Sequence, residues 1–182
     1  MKPNTQNLLT GKSVRLRAPE PTDIDLLYAW ENDTSVWRVS NTLAPLSRFQ
    51  VEEYVLNQQH DLFAEKQLRL MIDFIQENGN NEPIGTIDLF DYNPLHLRAG
   101  VGILVREPCR EKGYASEALE ILEYYSGKLL MLHQLYCTIM SGNEASIRLF
   151  EKHGFVRIGI KKEWIREGDS WCDELLYQKI LS

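Results

Sequence analysis

Arg110, Glu111, Lys112, Gly113, Tyr114 and Ala115 make up the segment of this chain best suited to hold an anion. They follow an apolar run that ends at Val105 and precede a stretch in which Ala115, Ala118, Leu119 and Leu122 recur at helical spacing. The segment therefore sits where a strand turns into a helix, and the first N–H groups of that helix have no partner within it. Gly113 lets backbone approach a phosphate closely, and Ala115 keeps the adjoining surface small. Arg110 and Lys112 add positive charge beside the positive end of the helix dipole. A diphosphate suits this set of groups. An ordinary strand-to-helix connection with solvated charges contains the same residue types, so the segment takes its meaning from its surroundings.

Other site patterns fit less well. A Walker loop requires a further glycine upstream of its Gly-Lys pair, and the nearby Gly-x-Gly, at Gly100 and Gly102, lies inside a strand. Cys109, Cys137 and Cys172 are odd in number and widely spaced, which suits neither a disulfide framework nor a zinc site, so no metal is expected. Cys109 abuts the anion segment, yet no histidine or other base stands near it to activate a nucleophile.

The elements that must position these residues are legible in outline. At 182 residues, 43% hydrophobic and 25% charged, the chain has material for one sizeable core, and no Pro/Gly/Ser-rich linker divides it. A polar leader is expected over residues 1–12 and one domain over residues 13–182. The leader lacks the apolar core of a signal peptide, and no apolar run reaches the roughly 20 residues of a bilayer span. A soluble, cytoplasmic protein without a membrane partner is expected. Net charge of −6 argues against a nucleic-acid partner, whose binding depends on clustered Lys and Arg.

Alternation over Val14-Arg15-Leu16-Arg17 predicts a first strand. Thr22 with Asp25 matches a capping box for a helix running to about Glu31. Phe49, Val51, Tyr54 and Val55 predict a second helix that continues past Gln59. Strands over 68–75 and 83–92 form a hairpin across Asn78-Gly79-Asn80-Asn81, and a third strand covers 99–105. The pattern then becomes strand, loop, helix, strand, with a short apolar run over 135–140, which is a parallel crossover unit. A helix over about 144–153, with Ile147 and Phe150 inward, leads into strands near 155–164 and 171–180 that turn at Gly168-Asp169. The result is one α/β domain with a mixed sheet.

Arg-x-x-Gly-x-Ala lies after Gly100-Val101-Gly102-Ile103-Leu104-Val105 and before Asn143-Glu144-Ala145-Ser146-Ile147-Arg148-Leu149-Phe150-Glu151-Lys152-His153-Gly154-Phe155. This combination resembles the GNAT superfamily of acyl-CoA N-acyltransferases. The resemblance extends from Val14-Arg15-Leu16-Arg17-Ala18 through Trp171-Cys172-Asp173-Glu174-Leu175-Leu176-Tyr177. It looks closest to the branch holding ribosomal-protein N-terminal acetyltransferases and spermidine acetyltransferases. It implies a single-domain acyl-CoA N-acyltransferase fold, with a mixed, mostly antiparallel sheet of about seven strands splayed at a central parallel pair and flanked by about four helices. It also implies acetyl-CoA as co-substrate, its pyrophosphate on the loop from Arg110 to Ala115 and its pantetheine arm wedged between strands 99–105 and 135–140. Backbone of Ile103, Leu104 and Val105 would pair with that arm, and an N–H of the same strand would face the thioester oxygen.

The implied activity is direct transfer of an acetyl group to a primary amine in a ternary complex, the acceptor being a protein N-terminus, a polyamine or another small amine. The enzyme would be a monomer or homodimer. Asn143 would bond the pantetheine chain, and as a preferred cap residue it equally suits the start of the helix that follows. Many relatives carry at the position of Phe150 a tyrosine that protonates the departing thiolate. Phe150 borders the cofactor but has no proton to give, so Ser146, three residues past Asn143 on the same helix face, or water takes that part. Attack needs a neutral amine, whereas a free alkylamine has a pKa of about 10, so a carboxylate is required as base, directly or through water.

Asp88 and Asp91 stand on the strand leading into the cofactor hairpin, at a spacing that puts them on opposite faces of a regular strand. Only one faces the cleft unless a bulge intervenes. Asp88, between Ile87 and Leu89 in a central strand, is the more unusual and is the carboxylate favoured for catalysis. Asp91, together with Glu31 and Asp33 at the end of the first helix, is a candidate to receive the substrate's positive charge. Tyr28, Trp30, Trp37, Trp164 and Trp171 have spacings expected of core more than of a pocket. The competing reading is a CoA-binding module impaired in catalysis, which Phe150 and the absence of an acid on the cofactor strand keep alive.

Overall fold

Runs of consecutive buried residues along the central strands divide the chain's apolar residues between the two covered faces of a single sheet. In the computed structural model, which describes residues 8–40, 42–57, 62–77 and 79–181, the sheet contains β1 (Val14–Arg17), β2 (Leu68–Phe74), β3 (Glu82–Asn93), β4 (Arg98–Val105), β5 (Gln134–Met140), β6 (Val156–Glu167) and β7 (Ser170–Ile180). Their order is β1-β2-β3-β4-β5-β7-β6, and every neighbouring pair is antiparallel except β4 and β5. This is the mixed sheet with a central parallel pair that the resemblance implies.

Among the described residues six α-helices flank the sheet: α1 (Ile24–Glu31), α2 (Thr34–Ser40), α3 (Arg48–Leu56), α4 (Leu62–Glu65), α5 (Tyr114–Lys128) and α6 (Glu144–Lys152). The expectation was about four. The additional ones are α2 and α4, and α4 is a single turn with no buried residue, too short to show a helical repeat. On one face Leu70 and Ile72 of β2, Leu89 of β3 and Val101 of β4 pack with Ala118, Leu119 and Leu122 of α5 and Phe150 of α6. On the other face Met71, between Leu70 and Ile72 in sequence, packs with Ile24 and Leu27 of α1 and Val51 and Val55 of α3. No described helix is long and apolar enough to cross a membrane.

Two local expectations are corrected. The capping box at the first helix is Glu20 with Asp23 rather than Thr22 with Asp25, because Asp23 is buried against Arg17 and turns its carboxylate to the Glu20 N–H at 2.8 Å. Helix α3 ends at Leu56 with Asn57 as its C-cap instead of continuing past Gln59, and residues 58–61 lie outside the described part. Within residues 8–12, Leu9 packs on the core, and its carbonyl accepts from the Leu16 N–H at 2.7 Å. Residues 1–7 and Asn78 of the hairpin turn also lie outside the described residues, while Gly79 in that turn has φ +80°.

Arg17 ties the sheet edge to α1. Its guanidinium donates to Asp73 on β2 at 2.7 Å and to Asp23 at 2.6 and 2.9 Å, and both carboxylates are buried. Arg15 adds a second bond to Asp73 at 2.9 Å. The first helix, and with it Glu31, is thereby fixed relative to the strands.

Candidate active site

Pairing between β4 and β5 involves Arg98 with Gln134, Ala99 with Leu135 and Gly100 with Tyr136, and stops there. The facing edges of β4 from Val101 to Val105 and of β5 from Cys137 to Met140 have no strand partner across the gap. Their main-chain N–H and C=O groups are therefore available to an extended ligand. Ile103, Leu104 and Val105 lie on this open edge, where the sequence reading put them.

At the wide end of the gap stands the anion loop. A short 3-10 turn (Glu107–Cys109) follows β4, and the Arg110 Nε donates back to the Val105 carbonyl at 2.9 Å, which fixes the loop to the strand. Glu111 has φ +61°, and Gly113, the N-cap of α5, has φ +87°. Left-handed residues in such a turn direct successive N–H groups to one side, forming a concavity for an anion. A Cβ at Gly113 would meet no atom of the protein within 4 Å, so the space in front of it is open. Arg110, Glu111, Lys112 and Gly113 are exposed. Tyr114 is half-buried against Phe74, at 5.1 Å between ring centroids, and Ala115 is half-buried beside it. A helix N-terminus, open backbone and two exposed cations thus meet in this loop.

Helix α6 forms the other wall. Asn143 is its N-cap, and the Asn143 Oδ1 accepts from the Ser146 N–H at 3.2 Å. Ser146 is half-buried in the first turn. Phe150 is only 3% exposed and packs edge-on against Phe155 at 4.9 Å, so its ring belongs to the core behind the groove. The two helices are cross-braced: Ser116 Oγ of α5 lies 2.8 Å from His153 Nε2 and accepts from Lys152 Nζ at 3.2 Å. Cys109 is buried with Arg106 Nε at 3.3 Å from its sulfur, and among the described residues no histidine bonds to it.

Asp88 lies on the opposite face of the sheet from α5, directly across from Arg69 in the register of β2 and β3. Arg69 grips both oxygens of Asp88, at 2.9 and 3.1 Å, and also bonds Glu31 at the end of α1. Its guanidinium stacks 5.6 Å from the centroid of the Tyr54 ring. Burial, aided by the neighbouring Glu31 carboxylate, pushes the Asp88 carboxyl above its ordinary value, and Arg69 opposes that rise. Asp88 and Glu31 are therefore brought together, through an arginine that joins them.

The condition attached to Asp91 is met, since the register of β3 against β4 shifts between Phe90 and Asn93. Asp91 sits in that bulge with φ +48° and is exposed. Its Oδ2 accepts from the Tyr136 hydroxyl at 3.1 Å. Burial first, and then Asp91, push the Tyr136 phenol up to about 12. Lys66, Asp91, Tyr92, Asn93, Arg98 and Tyr136 line a recess of about 300 Å³ at the closed end of the gap.

Arg69, Tyr136 and Phe90 went unrecognised in the sequence. Phe90 stacks edge-on against Tyr136 at 5.9 Å, and a Cβ at Gly100 would come within 2.3 Å of its ring. Gly100, meaningless as part of a nucleotide motif, is what makes room for this ring on the sheet face away from α5. That glycine, and an arginine between Leu68 and Leu70, were the available signals. Of the aromatics, Trp37 donates its indole N–H to the Glu31 carbonyl at 2.8 Å, whereas Trp164 and Trp171 are 60% and 58% exposed and so are not core. Asp33 is exposed and accepts from the Ser35 N–H at 2.9 Å.

A family model described as an acetyltransferase (GNAT) domain matches residues 13–156. The chain is 28% identical over 169 residues to YokL, an SPbeta prophage-derived uncharacterized N-acetyltransferase of Bacillus subtilis, with 92% of this chain and 90% of that one covered. It is 28% identical over 146 residues to the spermidine N(1)-acetyltransferase of Escherichia coli, covering 80% and 74% of the two chains. The crystal structure of spermidine N-acetyltransferase from Vibrio cholerae in complex with CoA and spermine has the same fold, with a TM-score of 0.81 at 22% identity over 94% of this chain and 97% of that one. The chain belongs to the GNAT acetyltransferase family and is an acetyl-CoA-dependent N-acetyltransferase.

Proposed function

We propose that the protein transfers acetyl from acetyl-CoA to a primary alkylamine, with polyamines the first class to test, by direct attack in a ternary complex. The observation that carries this reading is the gap between β4 and β5, which has an anion loop at its wide end and carboxylates on the sheet face opposite α5. The spermidine acetyltransferases among the relatives support the choice of acceptor class. Arg110, Lys112 and the N–H groups around Gly113 hold the diphosphate, and the open edge of β4 and the Asn143 amide hold the pantetheine arm. A β4 N–H polarises the thioester carbonyl.

Asp88 and Glu31 together outweigh the single charge of Arg69 and leave that wall net negative. It attracts an ammonium and stabilises the positive charge that develops on nitrogen during attack. Because Arg69 occupies both of its oxygens, Asp88 acts through charge in this reading rather than by taking the proton. Ser146 donates to the departing thiolate, with water as its substitute, and a CoA thiolate is a good enough leaving group to need no strong acid.

The test is thiol release from acetyl-CoA across a panel of amines. Saturable release with an acceptor supports the reading, and Asp88→Asn is expected to lower kcat about 10-fold or more, a loss of about 1.4 kcal/mol of transition-state stabilisation. CoA binding without thiol release for any amine would favour a binding module instead, a reading that the burial of Phe150 in the core keeps open.

A further inference from the structure

We infer that Tyr136 and Asp91 are the proton outlet of the reaction: Tyr136 touches the attacking nitrogen and relays its proton to Asp91. The inference rests on the acetyl-transfer reading and adds to it the step that reading leaves unassigned.

The geometry is specific to this place in the fold. Tyr136 belongs to the last β4–β5 pair before the strands part, so its Cα stands at the closed end of the gap. Residues 100 and 136 are register partners, and the Tyr136 ring meets Phe90, which lies over Gly100. The Tyr136 ring is thereby placed on the same sheet face as Asp88 and Arg69, away from α5. The hydroxyl donates to Asp91 at 3.1 Å, which leaves its oxygen lone pairs for an incoming N–H. Asp91 holds its position through a left-handed backbone, φ +48°, in a bulge of β3. A strained non-glycine residue of this kind persists where the surroundings enforce it.

Asp88 is not free for this work. Both of its oxygens are committed to Arg69, which also holds Glu31. The one Asp91 bond formed in the described structure is to Tyr136, and Asp91 is exposed, so a proton delivered there passes on to water. Lys66 and Arg98 line the same recess. A phenol pushed up to about 12 stays protonated at neutral pH and serves as a relay, not as a stored base.

The step balances. The bound ammonium gives one proton to the Tyr136 oxygen while the Tyr136 proton moves to Asp91 Oδ2, and the neutral amine nitrogen then bonds to the thioester carbon and sheds its second, now acidic, proton to water. The carbon–sulfur bond breaks, and CoA leaves as the thiolate. Asp91 then releases the proton to solvent.

The experiment compares wild type, Tyr136→Phe and Asp91→Asn with two acceptors, spermidine and the weakly basic hydroxylamine, following thiol release against pH. Removing a general base or its relay typically costs about 10²-fold or more in rate. Both variants are expected to lose about 100-fold in kcat with spermidine at pH 7, to lose under about 5-fold with hydroxylamine, and to recover towards high pH, where spermidine sheds protons unaided. Thermal melting checks folding, and Asp91→Asn, at an exposed position, supplies the second variant if Tyr136→Phe is unstable. Equal losses with both acceptors, or wild-type rates in both variants, overturn the inference while leaving acetyl transfer intact. Absence of thiol release by wild-type enzyme with every amine overturns the acetyl-transfer reading itself, and the relay with it.

Discussion

Replacing Gly113 by alanine separates two roles that this glycine combines. Its φ of +87° lies in the left-handed region, and a Cβ there would meet nothing of the protein within 4 Å. The protein alone therefore registers only the backbone penalty, about 1–2 kcal/mol for an L-residue in that region. For a chain of this length that lowers Tm by roughly 2–8 °C. The new methyl projects into the open space where the diphosphate approaches the loop, so one charge-assisted bond to an N–H, worth about 1.5–3 kcal/mol, is lost as well. CoA affinity then falls about 10- to 100-fold. Gly168→Ala is the matched control, since Gly168 has φ +61°, equally open surroundings and a place in the turn between β6 and β7. Calorimetric titration with CoA and a thermal melt on both variants decide the matter. Similar melting losses with weakened CoA binding in Gly113→Ala alone are expected. If Gly113→Ala binds CoA within 2-fold of wild type, about 0.4 kcal/mol, the loop is not the diphosphate site.

Two further outcomes follow from buried groups. Burial alone would raise the Asp23 carboxyl, but the Arg17 guanidinium and the Glu20 N–H outweigh it and hold the group below its ordinary value of 3.8. A carboxyl lowered in the folded state stabilises the fold above its unfolded pKa and loses that contribution as pH falls through the folded value. Wild type is therefore expected to lose stability below about pH 4, and Arg17→Met, which strands the buried Asp23 carboxylate and leaves Asp73 to Arg15, to lose about 3 kcal/mol at pH 7 and show a flatter acid limb in pH-dependent melts. Cys109 and Cys137 are buried, and burial pushes the Cys137 thiol up to about 12, whereas Cys172 is half-exposed. A disulfide reagent should titrate Cys172 alone in the native protein and all three thiols after denaturation; rapid native labelling of Cys137 would contradict its placement.

The cofactor half was legible in sequence because its signals are local. Arg110 to Ala115 is contiguous, and the strand before it and the helix after it show their periods within a few turns. The acceptor half was legible only in part, since its contacts join residues far apart in the chain. Asp88 and Glu31 meet through Arg69, and Asp91 meets Tyr136 across 45 positions. No short-range pattern encodes such pairs. The bulge at Asp91 is likewise set by the register between β3 and β4 rather than by local propensity. The misplaced capping box has the same origin: Asp23 caps where it does because Arg17, on a neighbouring element, draws it inward.

This division has a chemical consequence. In the proposed reading acetyl-CoA is held largely by backbone, the arm and thioester on the open edge of β4 and the diphosphate at the turn around Gly113, so its recognition tolerates wide change in side chains. In the same reading the amine is met by side chains from α1, β2, β3 and β5, which are bonded to partners on different elements. Gly100 links the halves: it belongs to the last paired step before the gap opens, and its missing side chain is what admits the Phe90 ring. A Cβ at 2.3 Å from that ring would displace Phe90, and with it the edge-on contact that steadies Tyr136. Acceptor choice can therefore shift through Phe90 and Tyr136 while the cofactor site stays intact, but not through Gly100, where both sites would yield together.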